Sequence, residues 1–162
     1  MTMASAATDP LRAHLARLLA WEDAHAGFEA ITSGVPPKLR GARLQGLPYS
    51  LWELLEHLRL AQEDILDFCV NPAYQDRAWP QDYWPATPAP PDARAWAASV
   101  AAVKADRKAL LDLLRDPHLD LYATIPHGSG QTYLREFLLV ADHNAFHLGQ
   151  MLVVRRLLGA WG

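Results

Sequence analysis

Two histidines, His143 and His147, stand four residues apart in LLVADHNAFHLGQM, residues 138–151. On a helix this spacing stacks both imidazoles on one face, one turn apart, where a single metal ion can take both as ligands. The pattern is weak by itself in a chain with seven histidines. A third ligand would strengthen it. His57 is the candidate, in Leu54-Leu55-Glu56-His57-Leu58, one turn from both Leu54 and Ala61 and so on the inward side of an apolar stripe. Three imidazoles from two helices would leave coordination positions open, as in a catalytic rather than a closed structural centre. The competing reading makes His57 a core histidine satisfied by a nearby carboxylate, with the other two facing a helix or a subunit interface. One chemistry is excluded. A zincin protease needs Glu directly after the first His, and that residue is Asn144.

Four helical segments would carry these residues. Thr8-Asp9-Pro10 is a helix start, and Leu11, Leu15, Leu18, Leu19, Trp21, Ala26 and Phe28 predict one helix running to about Thr32. Ser50-Leu51-Trp52-Glu53 is a capping box that opens the helix bearing His57, and Asn71-Pro72 stops it. Asp92 can cap a third helix through Trp96, Val103 and Leu114, closed by Asp116-Pro117. Residues 119–125 alternate weakly and could form one short extended strand. Thr132 can cap the last helix, and Gly159 ends it, with Arg155 and Arg156 near the negative end of its dipole.

Helices of this number and length predict an all-α four-helix bundle. The 71–91 connection holds six prolines together with Tyr74, Trp79, Tyr83 and Trp84. It could span about 70 Å at roughly 3.3 Å per residue, enough to cross the bundle and leave the second and third helices parallel. The expected topology is up-down-down-up. The aromatics imply that part of this connection packs down, as a strap or as a lid on a pocket.

Composition sets the class. Of 162 residues, 51% are hydrophobic and 20% charged, with a net charge of -3. That fits a single domain at 9–162 behind a disordered tail at 1–8. No basic face for nucleic acid is evident, no run of 18 apolar residues suggests a membrane span, and the first residues do not resemble a secretory signal. The expected location is the cytoplasm. Cys69 is the single cysteine, so no intrachain disulfide forms, and its place on the apolar stripe predicts a buried, inert thiol.

DHNAFHLGQ, together with His57 in LLEHLRLAQ and the four-helix layout with its long crossover, resembles the DinB superfamily over about residues 9–159. The resemblance implies a divalent-metal site, zinc or nickel, on His57, His143 and His147. It also implies an up-down-down-up bundle, frequent homodimers, metal-dependent hydrolases among the relatives, and in some relatives a thiol-dependent transferase or isomerase acting with low-molecular-weight thiols. No catalytic acid or base can be matched residue by residue.

Several further polar residues are candidates. Glu22 and His25 could face the metal as a base or an extra ligand. Asp64 and Glu136 could orient a ligand from behind. Asp142 and Gln150 lie off the ligand row and are expected to cap or bridge helices. His14, His118 and His127 are expected at the surface. Two functions remain in view: a metal-dependent transferase or hydrolase acting on a small molecule, and a non-catalytic metal-binding stress-response or interaction module.

Overall fold

In a computed structural model, residues 9–20 and 23–162 are described. The expected tail at 1–8 and the candidate Glu22 lie outside the described residues. The fold is all-α, with five α-helices and no strand among the described residues: α1 Pro10–Ala20, α2 Phe28–Thr32, α3 Leu51–Val70, α4 Ala95–Arg115 and α5 Tyr133–Leu157. α3 packs along both α4 and α5, and α1 lies against α4 and α5 at the other side.

Two expectations are corrected. The single helix expected from residue 10 to 32 is divided: α1 spans Pro10–Ala20, residues 23–27 are not helical, and a separate short α2 starts at Phe28. Gly27 precedes α2 in extended conformation, at φ -75° and ψ 170°. Apolar periodicity continues through this break because Phe28 and Ile31 are core residues on either account. The possible strand at 119–125 is a turn-rich segment with one isolated bridge, Thr124 to Thr132. Its backbone pairs only locally, with the Ile125 N–H donating to Gln131 O at 2.8 Å. Among the described residues no second strand lies beside it to extend a ladder.

The helix signals that depend on local chemistry are in place. Ser50 and Glu53 form a reciprocal capping box at the start of α3, with the Ser50 N–H donating to Glu53 Oε2 at 2.8 Å. The Thr132 hydroxyl accepts from the Arg135 N–H at the start of α5. Asp92 accepts from the N–H groups of Arg94 and Ala95, just ahead of α4.

The core divides into two clusters. One, around Phe28, Leu51, Leu54, Leu55, Leu58, Val103, Leu148 and Met151, supports the histidine-bearing parts of α3 and α5. The other joins Leu15 and Leu19 of α1 to Leu110, Leu114, Phe137 and Val140. By length and composition α5 could cross a membrane, with mean hydropathy 1.2 in its most apolar window. Yet its buried residues include Glu136, Asn144, His147 and Arg155, each placed among protein groups.

Arg155 ties α2 to the end of α5. It is 6% exposed. Its guanidinium donates to the carbonyls of Ala30, Ile31 and Ser33 at 2.8 to 3.0 Å, and Nε donates to Ala160 O at 2.9 Å. These are the carbonyls that the short α2 and the end of α5 cannot satisfy internally. Beyond the dipole role expected from sequence, Arg155 is thus a structural clamp. Arg155→Met should lower stability by about 2 to 3 kcal/mol, since it removes charged hydrogen bonds and strands buried carbonyls. A urea-unfolding midpoint that falls with unchanged slope is the expected result; an unshifted midpoint would contradict the clamp.

Candidate metal centre

His57 projects from α3, and His143 and His147 from successive turns of α5. One ring nitrogen from each lies within 4.8 Å of the other two. The Nε2 atoms of His57 and His143 are 3.2 Å apart. Two ligands on one tetrahedral zinc, at bonds of about 2.05 Å, stand roughly 3.3 Å from each other. The separation therefore matches a shared ion.

The protons confirm which atoms face inward. His57 Nδ1 lies 2.8 Å from the backbone carbonyl of Tyr83. A carbonyl can only accept, so Nδ1 carries the proton and Nε2 a lone pair. His143 is fixed by a longer relay. Gln62 Nε2 donates to the Val103 carbonyl at 2.8 Å, leaving Gln62 Oε1 to accept from Asn144 Nδ2 at 2.8 Å. Asn144 Oδ1 is then the atom that faces His143 Nδ1, at 3.4 Å. Gln62 and Asn144 are fully buried, so this relay has no competing water. His147 Nδ1 meets Gln150 Oε1 at 2.7 Å.

All three imidazoles thus have Nδ1 occupied by an oxygen and Nε2 free. A hydrogen bond between two such Nε2 atoms is impossible, since neither has a proton to give. Lone pairs facing at 3.2 Å repel, and a shared cation turns that repulsion into coordination. Burial pushes His147 down to about 4, with His143 and His57 adding to the effect and Gln150 opposing it. Burial also lowers His57 and His143. The three are neutral at neutral pH, the state a metal ligand needs.

The 71–91 connection forms one wall. Trp84 stacks flat on His57, with ring centroids 4.0 Å apart and planes 4° apart. The phenol hydroxyls of Tyr74 and Tyr83 donate to Asp64 at 3.0 and 2.6 Å. Arg77 pairs with the same carboxylate at 3.4 Å. Further along, the Ser50 hydroxyl donates to the Pro88 carbonyl at 2.5 Å. Ala89 comes so near the backbone at Gly41 that a Cβ there would lie 2.4 Å from Ala89 Cβ, which requires glycine. The connection is therefore fastened to α3 at several points. Beside His147 a cavity of about 390 Å³ is lined by Pro48, Tyr49, Glu53, Trp84 and Gln150. Its walls are mainly aromatic and apolar, with Gln150 and the Arg43-paired Glu53 as polar points.

The remaining candidates separate. Asp64 holds Tyr83, and the carbonyl of that residue holds His57, so Asp64 acts on the ligand through the 71–91 connection. Gln150, expected to cap or bridge, instead orients His147 from one turn away. Asp142 is exposed on α5, and its charge only partly opposes the burial that lowers the His143 pKa. Glu136 is buried beside Arg135, its ion-pair partner at 2.7 Å, and has no contact with the three imidazoles. His25 is exposed, with Nδ1 against the Ala26 carbonyl. His14, His118 and His127 are exposed as well. Cys69 is buried, and burial pushes its thiol up to about 12. Sequence reading missed the Gln62–Asn144 relay, the Tyr83 carbonyl and the Trp84 stack. The spacing of three between His147 and Gln150 was a usable signal. A backbone carbonyl from a loop leaves none.

The chain matches a family model described as the DinB superfamily over residues 20–151. No curated protein and no solved structure matches it.

The buried relay makes a quantitative expectation. Gln62→Leu should weaken zinc binding by roughly 10- to 100-fold, the usual effect of freeing a ligand's outer hydrogen bond. Competition with a zinc-sensitive chelating dye measures it, and unchanged affinity in folded protein would show that the relay does not orient His143.

Proposed function

The chain belongs to the DinB superfamily, and on that premise we propose that it is a divalent-metal-dependent enzyme whose ion is held by His57, His143 and His147. The observation that carries this is the inward convergence of Nε2 lone pairs, two of them at 3.2 Å, with every Nδ1 turned to an oxygen. An all-imidazole donor set suits zinc or nickel. We further read α1, α3, α4 and α5 as an up-down-down-up four-helix bundle in which residues 71–91 are the crossover.

The chemistry such an ion supplies is Lewis acidity, which makes a water or a thiol a competent nucleophile near neutral pH. The protein's residues do the rest. Tyr83, Asn144 and Gln150 fix the three ring orientations. Trp84 covers one face of His57 and keeps water from it. The cavity beside His147 has room for a small molecule, with Tyr49 and Trp84 as apolar walls and Gln150 at its polar edge. This fits transfer of a low-molecular-weight thiol to an electrophile, or hydrolysis. The presence of a cavity at the ligand favours these over a closed structural centre. We place the protein in the cytoplasm, a setting in which its single buried thiol, Cys69, needs no disulfide partner.

Protein purified without a histidine tag should carry about one divalent ion per chain by elemental analysis. His143→Ala and His147→Ala should each lose it. Retention of stoichiometric metal in both variants would refute the site. With cobalt as the ion, a thiolate-to-cobalt absorption band appearing on thiol addition supports the transferase reading. A spectrum unmoved by any small ligand would instead indicate a non-catalytic role.

A further inference from the structure

The side chains around the cavity beside His147 are unevenly matched for hydrogen bonding. Gln150 commits its Oε1 to His147 Nδ1 at 2.7 Å, which leaves over its amide Nε2, a group that can only donate. Among the described residues that Nε2 has no acceptor, and neither the Tyr49 hydroxyl nor the Trp84 indole N–H has a hydrogen-bond partner. The one carboxylate in the wall is already engaged. Glu53 Oε2 accepts from Arg43 Nε at 2.9 Å and from the Ser50 N–H at 2.8 Å, and Oε1 accepts from Arg43 Nη2. Donors are therefore in excess in this cavity of about 390 Å³, and no lysine or arginine lines it.

We propose that this cavity is a subsite for a neutral carbonyl compound, whose oxygen accepts from Tyr49 Oη and Gln150 Nε2 while its apolar body lies against Pro48 and Trp84. The electrophile would then be an aldehyde, ketone, ester or amide; that it is a substrate rests on the metal-enzyme reading. The excess of donors selects an oxygen acceptor. A hydrocarbon would dry the cavity and leave the Gln150 amide unpaired, which a site built to donate penalises. The acceptor is neutral because an anion would find no cation in the lining. It would instead meet Glu53, which burial alone would push toward its neutral form but which Arg43 and Ser50 hold below the usual carboxylate range. A cation gains little, since Arg43 already matches the charge of Glu53.

The donors are held in place before any ligand arrives. Tyr49 directly precedes Ser50, the fully buried cap of α3, whose hydroxyl donates to the Pro88 carbonyl and accepts from the Glu53 N–H. Tyr49 and Trp84 both pack against the core cluster that supports α3 and α5. Gln150 is oriented by His147 itself, and Trp84 by its stack on His57. An oxygen bound here therefore sits on groups fastened to two of the three imidazoles, which costs the protein little reorganisation.

Protein-observed NMR titration of the full chain tests this with three probes of one shape: acetophenone, α-methylstyrene (in which CH2 replaces the oxygen) and benzoate. Acetophenone should bind roughly tenfold more tightly than either of the others and should shift the Gln150 side-chain amide resonance. Tyr49→Phe keeps the ring, and Gln150→Glu keeps an oxygen toward His147 while removing the amide donors. Each should weaken acetophenone by roughly three- to tenfold and leave α-methylstyrene unchanged. Equal binding of acetophenone and α-methylstyrene, tighter binding of benzoate, or two variants with unaltered acetophenone affinity would each overturn the proposal. Zinc content of the same samples tests the metal reading separately. A zinc-free chain that still prefers acetophenone supports the subsite alone, and a zinc-loaded chain without the preference overturns the subsite alone.

Discussion

Two imidazole nitrogens with facing lone pairs, 3.2 Å apart in a buried site, are the constraint on which the rest of the structure depends. Left alone, they would separate or one would take up a proton. Burial works against protonation, lowering the affinity of all three rings for a proton. Rotation is opposed by the oxygens behind each ring. The site is thus organised to present electron pairs to a cation, and α3, α5 and the 71–91 connection each contribute one part of that organisation.

The supports differ in kind, and the difference has physical consequences. His143 is held by a relay of buried amides that ends on the Val103 carbonyl of α4, so three helices fix one ring. That relay is rigid because each member has a neighbour that determines its orientation. His147 is held within its own helix by Gln150. His57 depends on the 71–91 connection, through the Tyr83 carbonyl and the Trp84 stack. Asp64 secures that connection by accepting two phenol hydroxyls while Arg77 offsets its charge. The connection packs down, as its composition suggested, and forms one wall of the site: its prolines prevent a long helix, and its aromatics pack onto α3.

α5 serves two environments. Apolar residues lie on both its inner and its outer sides. Its inner side carries the ligands and the core residues Leu148, Met151 and Val154. Phe146 links that side to the outer one, since its ring touches His147 while most of its surface remains open. A change on the outer face thus reaches a metal ligand through a single side chain.

Sequence alone determined the helical class, most helix ends, and the three histidines as a candidate set. Each follows from local rules: four-residue spacing places His143 and His147 on one face, and the side chains of Ser50, Glu53 and Thr132 cap the helices that they begin. It could not locate the break between α1 and α2, because the apolar pattern is the same across it. Tertiary structure decided which nitrogen of His57 and of His143 faces inward. That choice belongs to Tyr83, Gln62 and Val103, which stand 26, 81 and 40 residues from the rings they orient. Backbone carbonyls have no residue identity to read, and a hydrogen bond's direction is set only when its partners meet in three dimensions.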